Sequence, residues 1–317
     1  MFKIYLAEAS YNKVSANDVD KYAYLNKLLK QQPVQLLTEA DNENLKTHPE
    51  EVLKNPSALY ILDISPDEAL GIRSKYGVMC LSSENPDVSP LIDVNDYFKP
   101  STETIKFKGW DKVLDNIEML PSNALILIDR YLFSLKNKDK SVGLNNVSKI
   151  LDELLPKNFE GGDYHITIVF NFEAKHSDLP FKDIVSQLND TVHQLRPDYN
   201  FMVEVFCVKE TCCLYHDSHD RQIISNYYFV EASHQLAAFN DEDKGVVSQS
   251  ITPWSLFTES SLNGDSSAPL ETIEQTIKVF SKFYASIYNE TKRETYYYGL
   301  NGKVMKQCMG AKNRLLR

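Results

Sequence analysis

The stretch that decides the fold is "SALYILDISPDEALGIRSKYGVMCLSS", residues 57–83. Two nearly continuous apolar runs flank a helical segment that begins at a Ser-Pro step and ends at a glycine. Apolar strands that alternate with helices are typical of a parallel sheet covered by helices on both faces. The stretch therefore predicts an α/β protein.

The same alternation extends in both directions from this stretch. A strand at 2–7 and a helix at 18–31 precede it, and a later series predicts strands at 124–133, 164–172 and 200–209 with helices at 144–155, 181–195 and 269–289. Prolines and acids are concentrated between about 84 and 105, which indicates a domain boundary. We expect a small Rossmann-like domain over residues 1–100 and a second domain over 101–317.

A polar cluster interrupts the second series. YHDSHDRQIISN, residues 215–226, precedes the aromatic run YYFV. Strand-like pieces flank its polar residues, which favours two antiparallel strands joined near 216–220 and a mixed sheet in the second domain. Starting at His219, the cluster has the spacing HxRxxxxN, with Arg221 and Asn226 at the other fixed positions.

This spacing resembles the HxKxxxxD signature of the phospholipase D superfamily, with arginine in place of lysine and asparagine in place of aspartate. The order of strands and helices is also similar to one half of a phospholipase D fold. In that family the histidine attacks a phosphodiester, the lysine holds the phosphate oxygens and the aspartate orients a histidine. The resemblance implies that His219 is a nucleophile or acid, Arg221 a phosphate clamp and Asn226 the orienting group.

The number of motif copies separates two functional hypotheses. Phospholipase D enzymes normally bring two motifs together, whereas this chain has one. A single HDR-type motif is similar to divergent domains that serve as binding platforms, such as the C-terminal domain of microtubule-interacting-and-trafficking proteins and its prokaryotic relatives. This implies a binding or regulatory module, related to nucleic acid in a bacterial defence or mobile-element system. The alternative is a homodimeric, metal-independent phosphodiesterase or nuclease that uses His219.

Asp129 and Arg130 follow the apolar run ALILI, at a strand end where open α/β sheets place their ligand crevice. We predict that Asp129 orients Arg221 and that Arg130, His216 and Ser233 complete a phosphate-binding or ligand-binding site.

Two other interpretations of the cluster stay open. In the first, Asp220 and Arg221 pair with Asp129 and Arg130 only to satisfy strand ends. In the second, His216 and His219 bind a metal with Asp217 and Asp220, which requires a third ligand nearby. We expect neither a metal nor a cofactor.

The charge distribution limits the partners. A net charge of -10 argues against contact with nucleic acid or membrane over the whole surface. The tail, residues 291–317, instead has seven cationic side chains and one acid, interleaved with aromatic residues. This pattern predicts a nucleic-acid contact through Lys303, Lys306, Lys312, Arg314 and Arg317. A solvated terminus and a contact with an acidic protein are the alternatives.

Cysteine usage and hydropathy indicate the compartment. The chain has five cysteines without a CxxC pair, so neither a zinc knuckle nor a disulfide framework is indicated. No window contains 18 uninterrupted apolar residues, and the first residues lack the pattern of a secretory leader. We expect a soluble, cytoplasmic protein that makes no contact with membrane.

Overall fold

The structure is a computed structural model of the 317-residue chain. It describes residues 2–16, 23–84, 86, 109–114, 120–133, 142–170, 181–207, 221–233, 235–239, 251–257, 273–282, 295–298, 304–305 and 313–316. The predicted domain boundary between 84 and 105 lies almost entirely outside these residues, so the two predicted domains stay a prediction.

The first sheet is built from residues before 83. Its elements are β1 (Ile4–Ala7), α1 (Glu8–Ala16), α2 (Ala23–Gln31), β2 (Val34–Leu37), α3 (Glu39–Thr47), a 3₁₀ turn (Pro49–Lys54), β3 (Leu59–Leu62), α4 (Pro66–Tyr76) and β4 (Met79–Ser82). The strand order is β2-β1-β3-β4, and all neighbours are parallel. The predicted strand, helix and strand of residues 57–83 are confirmed as β3, α4 and β4.

Helix α4 has clear start and stop signals. The Ser65 hydroxyl accepts a hydrogen bond from Glu68 N, and the Glu68 carboxylate accepts one from Ser65 N, which forms a capping box. Gly77 ends the helix with φ +61°, a left-handed conformation that glycine adopts without strain. A Cβ at Gly77 would lie 2.0 Å from Ser122 O, so the close approach of the backbone at Ser122 also requires glycine here.

The second sheet begins after residue 123. Its elements are α5 (Trp110–Leu114), β5 (Ala124–Ile128), α6 (Val142–Leu154), β6 (Asp163–Phe170), α7 (Phe181–Leu195), β7 (Asn200–Cys207), β8 (Arg221–Ser225), β9 (Tyr228–Ala232), β10 (Ile251–Ser255), α8 (residues 273–282), β11 (Thr295–Tyr298), β12 (Val304–Met305) and a final 3₁₀ turn (Arg314–Leu316). Within the described ranges the order is β10-β9-β8-β5-β6-β7-β11-β12. The neighbours β5, β6 and β7 are parallel, and the other pairs are antiparallel. The predicted α/β class and the mixed sheet are confirmed.

Strands β8 and β9 form a hairpin after the polar cluster. Ile224 pairs with Phe229, so the two strands are joined at Asn226 and Tyr227, whereas the predicted connection near 216–220 lies outside the described residues. The segment that the sequence predicted as one strand-like piece is therefore two strands with a two-residue connection. Asparagine is favoured in such short turns because it tolerates unusual backbone angles.

The turn at Asn226 and Tyr227 also joins the two sheets. Asn226 Oδ1 accepts from Asn123 N at 3.0 Å, and Asn226 Nδ2 donates to Pro56 O at 3.0 Å and to Asn123 Oδ1 at 3.0 Å. The Tyr227 hydroxyl accepts from Met79 N and donates to Ala58 O, which lies just before β3. We call this set of contacts the junction. One apolar cluster also runs through both sheets.

The C-terminal turn packs against the second sheet. The Asn313 amide is 1% exposed and donates to Leu125 O and Thr167 Oγ1, both at 3.0 Å. Leu315 is 7% exposed and belongs to the core. The end of the predicted basic tail is thus part of the fold.

Candidate functional site

Asp129 directly follows the buried strand β5, and its side chain is fully buried. Asp129 Oδ1 accepts from Tyr131 N at 2.8 Å, and Oδ2 accepts from Leu236 N at 2.6 Å. The first bond closes the turn that follows β5, and the second holds the segment that follows β9. Asp129 therefore fixes two neighbouring loops at the carboxyl end of β5.

Arg221 lies beside Asp129 because the two strands run in opposite directions. Ile128 of β5 pairs with Gln222 of β8, which places Arg221 at the level of Asp129. Arg221 Nε lies 3.7 Å from Asp129 Oδ1, and Arg221 Nη1 donates to Ser233 O at 3.4 Å. The predicted orientation of Arg221 by Asp129 is confirmed.

Tyr131 adds an aromatic surface to this group. The Arg221 guanidinium carbon lies 5.5 Å from the centre of the Tyr131 ring, and that of Arg130 lies 5.8 Å from it. Both distances are within the range of cation–π attraction. We call Asp129, Arg130, Tyr131 and Arg221 the arginine corner. It brings two guanidinium groups and one carboxylate to a single strand end.

Burial affects the ionisation of the arginine corner. Loss of water raises the pKa of the Asp129 carboxyl from its usual 3.8 to about 6, although the amides of Leu236 and Tyr131 and the charge of Arg221 act in the opposite direction. Asp129 is therefore ionised at neutral pH and becomes neutral in mild acid. When it is neutral, the corner gains one unit of net positive charge.

Asn226 does not join this site. It lies at the opposite end of β8 from Arg221, five residues away, which is roughly 17 Å along an extended strand. Its side chain is 2% exposed, and its amide contacts the junction. The structure therefore gives Asn226 a contact role between the sheets, away from Arg221. His219, the histidine that Asn226 was predicted to orient, lies outside the described residues.

His216 and His219 lie outside the described residues. Ser233 contacts Arg221 through its backbone carbonyl. Across the part of the chain that the structure describes, no group of three or more His, Cys, Asp or Glu side chains could hold a metal ion.

The predicted tail contact is represented by one residue. Lys303, Lys306, Lys312 and Arg317 lie outside the described residues. Arg314 contacts the sheet: its backbone N donates to His165 Nδ1 at 2.9 Å and its Nη2 to Asp163 O at 2.5 Å. The alternative of a solvated terminus therefore does not hold for residues 313–316.

Tyr131 is the corner residue that sequence reasoning missed. It directly follows Arg130 in the sequence, so an aromatic residue beside two strand-end charges was the available signal. The hydrogen bond from Leu236 N to Asp129 could not be predicted in this way, since a backbone donor has no sequence pattern.

Comparisons with known proteins leave the family open. No family model matches the chain, and no curated protein matches it significantly in sequence. None of the helices in the described ranges is long and apolar enough to cross a membrane.

Proposed function

We propose that the protein is a binding module on a degenerate phospholipase D-like fold, and that its arginine corner binds a phosphate group of an acidic partner such as nucleic acid. The observation that carries this proposal is the fixed position of Arg221 against the buried carboxylate of Asp129. The proposed role fits the chemistry of the side chain, because a guanidinium presents a planar set of donors that matches phosphate oxygens.

The rigidity of the corner supports this role. The Arg221 side chain is 15% exposed and is held by Asp129, the Ser233 carbonyl and the Tyr131 ring. A guanidinium that is already positioned loses little conformational freedom when an anion binds. Arg130 is also partly exposed and supplies a second cation beside the same ring.

A fluorescence anisotropy titration with a labelled single-stranded oligonucleotide tests the proposal. Arg221→Lys keeps the charge but loses the planar donors, and we expect it to raise Kd about tenfold. Arg130→Ala should weaken binding and lower the slope of log Kd against log salt by roughly 0.7 if it removes one phosphate contact. Lys30→Ala is the control, because Lys30 is exposed on α2, the helix that precedes β2 of the first sheet.

The outcome of this titration separates the corner from the tail. Wild-type affinity in both Arg221→Lys and Arg130→Ala would exclude the arginine corner as the phosphate site. If replacement of Lys303, Lys306 and Lys312 by glutamine alone removes binding, the contact lies in the tail.

A second assay addresses the enzyme hypothesis. We expect no hydrolysis of bis(4-nitrophenyl) phosphate that depends on His219, since the family's lysine and aspartate are replaced and Asn226 lies in the junction. Turnover by the wild type that disappears in His219→Ala would instead favour the homodimeric phosphodiesterase.

A further inference from the structure

A large cavity lies at the other end of the second sheet from the arginine corner. Its volume is about 780 Å³, and its walls come from the start of β6, the segment before β3, helix α8 and the C-terminal turn. Asn226 of the junction also lines it. The volume is within the range of about 300–1,000 Å³ that is usual for small-molecule sites, and such sites are common where two structural units meet. We call it the junction cavity.

One side of the junction cavity is apolar. Phe2, Ile273, Ile277 and Leu315 line it and belong to, or pack against, the apolar cluster that runs through both sheets. A ligand here would therefore displace water from an apolar surface, which favours a molecule with an apolar or aromatic body.

The charged residues of the junction cavity are mainly cationic. The lining includes Lys3, Lys54, Lys278 and Arg314, together with Asp163 and Glu274. Lys54 forms an ion pair with Glu51, but the other cations still outnumber the two acids. The positive balance is notable in a chain whose net charge is -10. An anionic group is therefore favoured over a cationic one.

We propose that the junction cavity binds a small organic anion with an apolar body, whose charged group faces Lys278 and Arg314 and whose body packs on Phe2 and Ile277. This site does not depend on the proposed function, because it lies at the opposite end of the β5–β8 pair. Since both the segment before β3 and the C-terminal turn form its walls, the bound anion contacts the first sheet's unit and the end of the chain together.

Two matched dyes provide the test. 1-Anilinonaphthalene-8-sulfonate is an aromatic anion whose fluorescence rises in an apolar site, and N-phenyl-1-naphthylamine is its neutral counterpart. We expect saturable binding of the anionic dye at one site per chain. Lys278→Glu should raise its Kd about tenfold and Lys278→Gln about threefold, since each changes the charge that faces the sulfonate. The neutral dye should bind all three proteins with similar affinity.

Lys282→Glu is the matched control. Lys282 is exposed on the same helix, one turn after Lys278, but it does not line the junction cavity. Its Kd for the anionic dye should stay within twofold of wild type, and so should that of Arg130→Ala, whose side chain lies at the arginine corner. Absence of saturable binding, or equal effects of Lys278→Glu and Lys282→Glu, would overturn the proposal. An effect of Arg130→Ala alone would place the dye at the corner and also overturn it.

Discussion

Strands β5 and β8 pair along their length, from Leu125 opposite Ser225 to Ile128 opposite Gln222, but their two ends differ in the surroundings of their polar side chains. At the carboxyl end of β5, Arg221 is 15% exposed and lies beside Arg130 and Tyr131. At the amino end of β5, Asn226 is 2% exposed and forms hydrogen bonds with Asn123, just before β5, and with Pro56, in the segment before β3.

The difference between the two ends separates binding from stability. A cation at the rim of a sheet can exchange water for a ligand at modest cost, whereas a buried amide must keep its partners because an unpaired polar group costs about 1–3 kcal/mol. Substitutions at the junction end should therefore change the free energy of unfolding. Conservative substitutions at the arginine corner should mainly change the affinity for an anion.

The largest effect is expected from the C-terminal turn, which contacts the junction end of the sheet. Deletion of residues 313–317 removes the buried Leu315 and the Asn313 bonds to Leu125 O and Thr167 Oγ1. We expect the free energy of unfolding to fall by about 4 kcal/mol, since loss of a buried leucine side chain alone costs about 2–5 kcal/mol. Urea denaturation measures this change.

The control for the deletion keeps the turn and removes nearby charge. Replacement of Lys303, Lys306 and Lys312 by glutamine should change the free energy of unfolding by less than about 0.5 kcal/mol, because it removes charge and no apolar side chain. If the deletion changes the free energy of unfolding as little as this control does, the turn contributes nothing to stability.

The next effect is expected from Asn226→Asp, which restores the aspartate of the phospholipase D signature. The Asn226 amide donates to Pro56 O, Ser57 Oγ and Asn123 Oδ1, and a carboxylate cannot donate to any of them. We expect a loss of about 3 kcal/mol in urea denaturation and no gain of hydrolytic activity.

Asn44→Asp is the matched control, because Asn44 is exposed on α3. It should change the free energy of unfolding by less than about 0.5 kcal/mol. An active Asn226→Asp protein of unchanged stability would contradict the contact role of Asn226 and support the family's catalytic one.

Most of the fold could be predicted because its strands are buried on both faces. β3, β4 and β5 form nearly continuous apolar runs, β6 is apolar at most of its positions, and the helices repeat apolar residues at helical spacing. Strand β2 and helix α3 were missed. In β2, Gln35 and Leu36 are exposed, and α3 buries few side chains, so neither has a clear apolar period. The capping pair Thr38 and Asp41 was the available signal for α3.

The site was predictable to the extent that it follows strand ends. Asp129 and Arg221 are charged residues that adjoin apolar strands, so their proximity could be inferred. The role of Asn226 could not be inferred from the motif spacing. Asn226 is five residues after Arg221 and β8 is five residues long, so the same spacing places Asn226 directly after the end of this strand. The bonds from Asn226 to Pro56 and Asn123 depend on how the two sheets meet, which no local pattern specifies.

The third effect is expected at the arginine corner, is no larger than that of Asn226→Asp, and depends on pH. Burial raises the pKa of the Asp129 carboxyl to about 6, above its usual 3.8 in an unfolded chain. Between these two values the folded protein holds a proton that the unfolded chain has lost, so the contribution of Asp129 to stability is greatest below about pH 4 and decreases as the pH rises to about 6. The decrease should approach about 3 kcal/mol.

Asp129→Asn removes this ionisation and should therefore remove that part of the pH dependence. The variant also loses an acceptor for Tyr131 N or Leu236 N, which lowers its stability by a similar amount at every pH. The informative quantity is thus the difference in the free energy of unfolding between wild type and variant, measured by urea denaturation from pH 4 to pH 7. We expect this difference, which favours the wild type, to decrease as the pH rises. A difference that stays constant would show that Arg221 and the two amides balance the effect of burial on the carboxylate. A difference that grows would show that they outweigh it, and the corner would then hold its arginine too tightly paired to bind a phosphate.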